Sequence, residues 1–299
     1  MENRNSGIMG QAKGIWSSLK NVAKQHTRPT RMPWNPAEQT KGGMEDKDRL
    51  APDGQLRQGT SDPSRKGLAG WVSPTYTHSR AVSLNPLTAA ANRCIAVSPD
   101  NTDVEAFKVI RTHILNRTAN GGGRTIMVTS ALPGEGKTVT AVNLSFTFAR
   151  EFQQTVLLVD ADLRRQQIHK LLGLNTGVGL GDYFLENRPL PDLIVWPGVE
   201  KLTLISGGAA VRDSAELVGS PRMKDLVQEM KNRYPERYIF FDVPPVLTAA
   251  DTLALARLMD HILVVVAAGF TPIHDVRRAL EVLPGEKVLG LVLNTRKSE

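Results

Sequence analysis

The 299-residue sequence contains a single cysteine, Cys94, so one chain cannot form a disulfide framework or a multi-cysteine metal site. Long apolar runs are also missing. The longest, residues 262–268, is far shorter than the roughly 20 residues that a membrane-spanning helix needs. The N-terminus lacks the uninterrupted apolar core of a secretory signal. These absences exclude a disulfide-rich secreted protein and an integral membrane protein, and they predict a soluble, cytoplasmic one.

Positive charge is concentrated at one end of the chain. Residues 1–95 hold 14 lysines and arginines against 7 acidic residues, whereas residues 96–299 hold 23 of each. The net charge of +7 therefore belongs to the N-terminal region. A basic segment of this kind contacts anionic lipid, nucleic acid or an acidic partner in some proteins, and only keeps a linker soluble in others.

Residues 1–97 are rich in proline, glycine, serine, threonine and arginine and show little periodicity. We predict a mostly disordered N-terminal extension, because such a stretch buries too little apolar surface to offset its ordering entropy. Between Ile8 and Ala23, however, apolar residues recur at helical spacing among lysines. This pattern predicts a short basic amphipathic helix that lies on a membrane or docks to a partner. The alternative is a frayed helix with no such role.

Residues 98–299 show dense apolar runs that alternate with helical patterns. Because apolar strands that alternate with helices are typical of a buried, mostly parallel sheet, we predict one α/β domain with helices flanking the sheet. The predicted strands are residues 125–129, 156–159, 202–205, 238–241, 262–266 and 288–293. The predicted helices are residues 103–118, 137–150, 164–172, 213–233, 251–259 and 273–283.

The first predicted strand runs into Ser-Ala-Leu-Pro-Gly-Glu-Gly-Lys-Thr, residues 130–138, and a helix follows. This strand–loop–helix setting is that of a Walker A loop, although Ala131 replaces the first glycine of the usual pattern. Lys137 would neutralise the β- and γ-phosphates of ATP, and the Thr138 hydroxyl would ligate Mg²⁺. The predicted nucleotide-binding residues of the loop are Gly134, Glu135, Gly136, Lys137 and Thr138.

Carboxylates follow two other predicted strands. Asp160 and Asp162 come after residues 156–159, and Asp242 follows residues 238–241. An isolated aspartate after a strand is usually a helix cap. Ligands of parallel α/β sheets, however, gather at the carboxyl ends of the strands. Together with the loop, these residues predict a Mg²⁺-dependent site for nucleotide hydrolysis or phosphoryl transfer.

Three motifs resemble the Walker A, A′ and B motifs of bacterial tyrosine kinases, the CpsD/CapB type of capsule and exopolysaccharide synthesis. They are Pro-Gly-Glu-Gly-Lys-Thr at 133–138, Asp-Ala-Asp-Leu-Arg-Arg at 160–165 and Asp-Val-Pro-Pro at 242–245. The resemblance covers about residues 98–295 and places the chain in the MinD/ParA-like P-loop superfamily. It is closest to the stand-alone kinases that work with a separate membrane partner, since no membrane segment is fused here.

The resemblance implies a fold, an activity and a set of residue roles. The activity is ATP-dependent tyrosine (auto)phosphorylation that regulates polysaccharide polymerisation and export, at the inner face of the membrane through a chain-length or co-polymerase partner. The implied catalytic residues are Lys137, Asp160, Asp162 and Asp242, with Asp162 acting on the tyrosine hydroxyl. The implied metal ligands are Thr138, Asp160 and Asp242, and Asn294 would contact adenine. The implied self-association residues of a homo-oligomer are Glu105, Lys108 and Arg111.

Two departures from the family pattern affect these expectations. The family usually ends in a tyrosine-rich tail, whereas this sequence has four tyrosines and ends in Lys-Ser-Glu. Tyr76, in the basic N-terminal region, is therefore our candidate phosphoacceptor. Leu132 stands where MinD/ParA proteins carry a distinctive lysine, which favours the kinase branch.

Two alternatives remain open from the sequence. The first is a P-loop ATPase switch that binds a membrane partner without phosphorylating tyrosine. The second is a partition ATPase that binds nucleic acid through the basic region. The neutral charge of residues 96–299 and the missing lysine make nucleic acid the least favoured partner.

Overall fold

The computed structural model describes residues 79–98, 102–119, 123–211 and 214–295. The predicted N-terminal amphipathic helix, most of the predicted disordered extension and Tyr76 lie outside these residues. Within the described part, eight strands form one sheet in the order β1-β4-β5-β3-β6-β2-β7-β8. All neighbouring strands are parallel except β4 and β5, which are antiparallel. The strands are β1 Arg80–Ala81, β2 Thr125–Ser130, β3 Thr155–Asp160, β4 Ile194–Trp196, β5 Leu202–Ile205, β6 Arg237–Asp242, β7 His261–Ala268 and β8 Val288–Thr295.

Helices cover both faces of this sheet. Successive side chains of a strand point to opposite faces of the sheet. Neighbouring residues of the central strands therefore enter two separate apolar clusters, as Phe240 and Phe241 of β6 do. No helix of the described residues is long and apolar enough to cross a lipid bilayer. The helices are α1 Pro86–Ala91, α2 Glu105–Thr118, α3 Lys137–Ala149, α4 Ile168–Leu172, α5 Leu180–Glu186, α6 Leu190–Leu193, α7 Ser214–Val218, α8 Pro221–Arg233, α9 Ala250–Leu258 and α10 Ile273–Val282.

The six predicted strands and the mostly parallel sheet are confirmed, whereas the short strands β1 and β4 were not predicted. The predicted helix over 213–233 is wrong in one respect, since two helices occupy it. Ser220 caps α8, its side chain accepting a hydrogen bond from the Met223 N–H, and Pro221 is the first residue of that helix. Serine at the cap and proline at the first position are strong helix-start signals, and here they begin a new helix.

Residues 79–97 lie before the domain start predicted at residue 98, yet they pack onto the sheet and α3. The side chain of Asn143 accepts a hydrogen bond from Ala96 N (2.8 Å) and donates one to Arg93 O (3.0 Å). Cys94 and Ala96 are buried. The packed region therefore begins before residue 98. The sequence does not show this, because the segment is held by the Asn143 amide and by small buried side chains, which produce no periodic pattern.

Replacing Asn143 with alanine should lower the free energy of unfolding by about 1–3 kcal/mol, the usual cost of leaving buried polar groups unpaired. The variant loses the partner of Ala96 N–H and of Arg93 C=O. Urea denaturation followed by circular dichroism measures the change. Gln228→Ala, at an exposed position of α8, is the matched control and should stay close to the parent. Equal unfolding midpoints for both variants would contradict this role of Asn143.

Candidate active site

The loop between β2 and α3 lies at the carboxyl edge of the sheet, and two of its glycines have a backbone that other residues rarely adopt. Gly134 has φ +81° and Gly136 has φ +89°, in the left-handed region that favours glycine. At Gly136 space is also limiting, because a Cβ there would lie 2.1 Å from Nδ2 of Asn294. The backbone of the loop therefore favours glycine at both positions.

The structure brings the loop lysine and the strand-end carboxylates together. Lys137 Nζ lies 3.1 Å from Asp162 Oδ2 and 3.3 Å from Asp242 Oδ1. The Thr138 hydroxyl donates to Asp242 Oδ2 at 2.8 Å. Asp160 lies directly opposite Asp242 in the register of the parallel strands β3 and β6. Residues from three separate parts of the sequence thus meet at one edge of the sheet.

Burial and mutual repulsion shift the protonation of this cluster. Burial, followed by the charge of Asp242, raises the pKa of Asp160 to about 8. Burial also raises the pKa of Asp242, although Lys137 and the Thr138 hydroxyl oppose it. Burial alone would lower the pKa of Lys137, but the nearby carboxylates outweigh it and hold that pKa above its ordinary value. The site therefore favours additional positive charge.

One oxygen of this cluster has no partner. Asp160 Oδ2 accepts hydrogen bonds from the backbone N–H groups of Gln167 (3.0 Å) and Ile168 (3.1 Å), while the buried Oδ1 accepts none in the described structure. Mg²⁺ prefers oxygen ligands, and both this oxygen and the Thr138 hydroxyl are ligands of that kind. No group of three or more histidine, cysteine, aspartate or glutamate side chains in the described residues forms a metal cage. Mg²⁺ would therefore also need oxygens from phosphate and water, as is usual for this ion.

A cavity of about 670 Å³ opens in front of the loop. Its lining residues include Gly134, Lys137, Thr138, Asp162 and Pro244. The volume is within the range of small-ligand and cofactor sites, and the loop N–H groups lie at the start of α3, where anions are favoured. The cavity is therefore suited to a nucleotide with its phosphates at the loop.

The side chains of Glu135 and Asn294, both predicted to bind nucleotide, support the loop and do not line this cavity. Glu135 is 1% exposed, accepts a hydrogen bond from Leu132 N (2.7 Å) and is hydrogen-bonded by the Thr271 hydroxyl. Asn294 Nδ2 donates to the carbonyl of Glu135 at 3.0 Å. The contact of Asn294 with adenine stays a prediction.

The cavity also contains an arginine for which the sequence motifs predict no role. Arg164 lines the cavity, and its Nε donates to Ser214 Oγ at 2.9 Å, while its Nη2 lies 3.4 Å from Asp251 Oδ1. The Ser214 hydroxyl also donates to Asp251, which is fully buried. The sequence signal for this group is Asp251, the acidic residue in the first turn of α9.

The three predicted self-association residues separate into two groups on α2. Glu105 and Lys108 form an ion pair on the surface. Arg111, whose side chain is 15% exposed, instead pairs with Glu151 at 2.6 Å and donates to the carbonyl of Thr147 at 2.9 Å. Arg111 therefore binds α2 to the end of α3, and only the first two side chains are presented to solvent.

Comparison with known proteins identifies the class of this fold and site. A family model described as "ParA: NUBPL iron-transfer P-loop NTPase" matches residues 123–298. Iron–sulfur clusters are held by several cysteine thiolates. This chain has one cysteine, so it does not by itself supply the ligands of such a cluster. What the match and the loop geometry share is the P-loop NTPase class.

Relatives narrow this class. Tyrosine-protein kinase YwqD of Bacillus subtilis is 33% identical over 201 residues, which are 67% of this chain and 84% of that protein. Putative tyrosine-protein kinase CapB of Staphylococcus aureus is 27% identical over 225 residues, 75% and 90% of the two chains. The solved kinase domain of the Escherichia coli tyrosine kinase Etk has a TM-score of 0.62 and 26% identity, covering 67% of this chain and 79% of that one. The chain belongs to the bacterial tyrosine kinases within the ParA-type P-loop NTPases, as the motif resemblance predicted.

The raised pKa of Asp160 predicts how stability depends on pH. The pKa is about 8 in the folded chain against an ordinary 3.8, so the folded state holds a proton that the unfolded state releases. The stability from this proton is fully present below the unfolded pKa and is lost as pH rises through the folded pKa. The unfolding free energy of the protein without added nucleotide should therefore decrease as the pH rises from 3.8 to about 8.

Urea denaturation in a chelating buffer over this pH range measures the slope. Asp160→Asn should flatten it, because asparagine does not titrate. Asp225→Asn, at an exposed position of α8, is the matched control and should retain the parent slope. A slope unchanged by Asp160→Asn would contradict the assignment of this proton to Asp160.

Proposed function

We propose that the protein is an ATP-dependent protein-tyrosine kinase that phosphorylates its own chain and regulates the polymerisation and export of an exopolysaccharide or capsule. The observation that carries this proposal is the position of the Lys137 ammonium group between Asp162 and Asp242, at a cavity of nucleotide size. Membership in the bacterial tyrosine kinases supports tyrosine as the acceptor.

Lys137 and the loop backbone would bind the phosphates of ATP. The carboxylates of Asp162 and Asp242 hold the Lys137 ammonium group at the loop. A fixed positive charge stabilises the charge that develops on the transferred phosphoryl group without reorganisation at the moment of reaction. Thr138, Asp160 and Asp242 would hold Mg²⁺, which neutralises phosphate oxygens when bound.

Asp162 would act on the acceptor hydroxyl, because it lines the cavity whereas Asp160 and Asp242 are fully buried. Its Oδ1 accepts a hydrogen bond from Arg165 N at 3.0 Å, and its Oδ2 faces Lys137. This arrangement orients the carboxylate. In the transfer, the tyrosine oxygen bonds to the γ-phosphorus, the bond from that phosphorus to ADP breaks, and the phenol proton passes to Asp162.

We infer that the protein works at the inner face of the cell membrane with a chain-length or co-polymerase partner. Names of relatives support the pathway. They include CapB and the succinoglycan biosynthesis transport protein ExoP of Rhizobium meliloti, which is 31% identical over 222 residues. The matched region is 73% of this chain but only 28% of ExoP.

Lys137→Met should lower ATP turnover and tyrosine phosphorylation by about 10²–10³-fold, because the site loses its fixed counter-charge. Asp162→Asn should retain ATP binding and lose transfer. Phosphate release, nucleotide binding and phosphotyrosine are measured on each purified, folded variant. Lys170→Met, at an exposed position of α4, is the matched control and should keep all three.

The outcomes separate the candidate functions. Near-parental phosphorylation by Lys137→Met or Asp162→Asn would contradict the role assigned to that residue. ATP hydrolysis by the parent protein without any phosphotyrosine would favour the alternative function, an ATPase switch that acts on a membrane partner.

We propose that the exposed pair Glu105 and Lys108 forms part of a self-association surface of a homo-oligomer. Exchanging the two residues, Glu105→Lys with Lys108→Glu, preserves the intrahelical pair and the net charge but inverts the charge pattern shown to a neighbour. Light scattering should then show a shift towards monomer, with unchanged unfolding. Arg111 is unsuitable for this test, because its reversal would also break the pair with Glu151. An unchanged mass would refute the proposed surface.

A further inference from the structure

The three tyrosines of the described region differ in how accessible their hydroxyl groups are. Tyr238 is 4% exposed, and its hydroxyl is 2.7 Å from that of Thr118. Tyr183 is half-buried, and its hydroxyl donates to the carbonyl of Arg222 at 3.5 Å. Tyr234 is 44% exposed, and its hydroxyl makes no hydrogen bond to any other residue that the structure describes. Among the tyrosines of this part of the chain, Tyr234 is therefore the most exposed and the one whose hydroxyl is not held by another residue.

The backbone at Tyr234 is extended. The residue follows the last residue of α8 and has φ −148° and ψ 109°. It lies between Arg233 and Pro235, which are both exposed. A residue that precedes proline is disfavoured in the helical conformation, so the sequence itself ends the helix here. The result is a short, exposed, extended segment with tyrosine at its centre, a form in which peptides enter binding clefts.

Tyr234 borders a second cavity, of about 690 Å³, whose lining carries an excess of positive charge. The guanidinium carbon of Arg237 lies 3.9 Å from the centroid of the Tyr234 ring. The acidic side chain of the lining, Asp260, is paired with Lys231 at 2.7 Å. The cationic lining residues other than histidine are Arg124, Lys231, Arg237 and Lys287. A phosphotyrosine carries about −1.5 to −2 charge and forms strong hydrogen bonds with arginine and lysine, so this cavity is suited to receive one.

This cavity lies at the opposite edge of the sheet from the candidate active site. Tyr234 precedes β6, whereas Asp242, which contacts Lys137, is the last residue of the same strand. A strand of this length spans roughly 20 Å. The hydroxyl of Tyr234 therefore cannot reach the active site of its own chain while the fold is intact.

We propose that Tyr234 is a phosphoacceptor that a second copy of this chain modifies, and that its phosphate then binds in the basic cavity. This inference rests on the proposed kinase function. The phenolic oxygen of Tyr234 bonds to the γ-phosphorus of ATP, and the bond from that phosphorus to ADP breaks. The phenol proton passes to the Asp162 carboxylate of the copy that holds the ATP. The product carries a dianionic group at the cavity that Arg237 and Lys231 line.

The test mixes the untagged parent chain as donor with a tagged Lys137→Met chain as acceptor, in Mg²⁺ and ATP. Peptide mass spectrometry of the acceptor should find phosphate on Tyr234. The phosphopeptide should be lost in an acceptor that also carries Tyr234→Phe, which removes only a hydroxyl that the described fold does not use. An acceptor with Tyr183→Phe is the matched control and should keep it.

Phosphorylation of a glutamate–tyrosine copolymer by the donor is measured in parallel to separate the outcomes. If the copolymer is labelled and Tyr234 is not, the inference is overturned and the kinase function stands. The same holds if Tyr76 is the labelled tyrosine of the chain. Label on Tyr234 of the donor but not of the acceptor overturns transfer between copies. No label on any tyrosine or on the copolymer overturns the kinase function and this inference with it.

The role of the cavity is tested by the rate at which a tyrosine phosphatase removes the phosphate from Tyr234. Lys287→Gln removes one lining cation and should speed the removal, because the phosphate is held less strongly. Lys224→Gln, at an exposed position of α8 that does not line the cavity, should leave the rate at the parental value. Equal rates in the parent and both variants would overturn binding of the phosphate in the cavity.

Discussion

The placement of Lys137 between two carboxylates is the interaction on which the site depends. Asp242 is fully buried, and Asp162 nearly so, and an unpaired buried charge is strongly unfavourable. The lysine offsets part of this cost, but it faces two carboxylates, and their neighbour Asp160, opposite Asp242, holds a proton because its pKa is raised. A cation that binds at this cluster together with phosphate would balance the remaining negative charge.

This arrangement depends on contacts behind the loop as well as in it. Glu135 connects the loop to Thr271, which lies after β7, and Asn294 of β8 holds the carbonyl of Glu135. Rigid support of this kind keeps a catalytic group in its productive position. At the same cavity, buried Asp251 holds the lining residue Arg164. The sheet and its connections therefore determine the positions of the charged groups that line the cavity.

The two edges of the sheet have different chemical properties. The carboxyl edge carries the lysine and carboxylates of the candidate active site, and the amino edge carries the basic cavity beside Tyr234. If a chain presents its acceptor at the edge opposite its own site, phosphorylation requires that this edge of one copy reach the active site of another. Self-association and phosphorylation are then linked by geometry, since each copy acts on its neighbour.

Much of this architecture is encoded locally in the sequence. Apolar strands that alternate with amphipathic helices predict a parallel sheet, and glycines before Lys137 and aspartates at strand ends predict where phosphate binds, because parallel strands bring their carboxyl ends together. Other features depend on contacts between distant residues. Asn143 anchors a segment that ends before residue 99, Arg111 pairs with Glu151, and the side chain of Glu135 supports the loop from behind. Periodicity and motif spacing report only on neighbours along the chain, so only the tertiary structure determined these pairings.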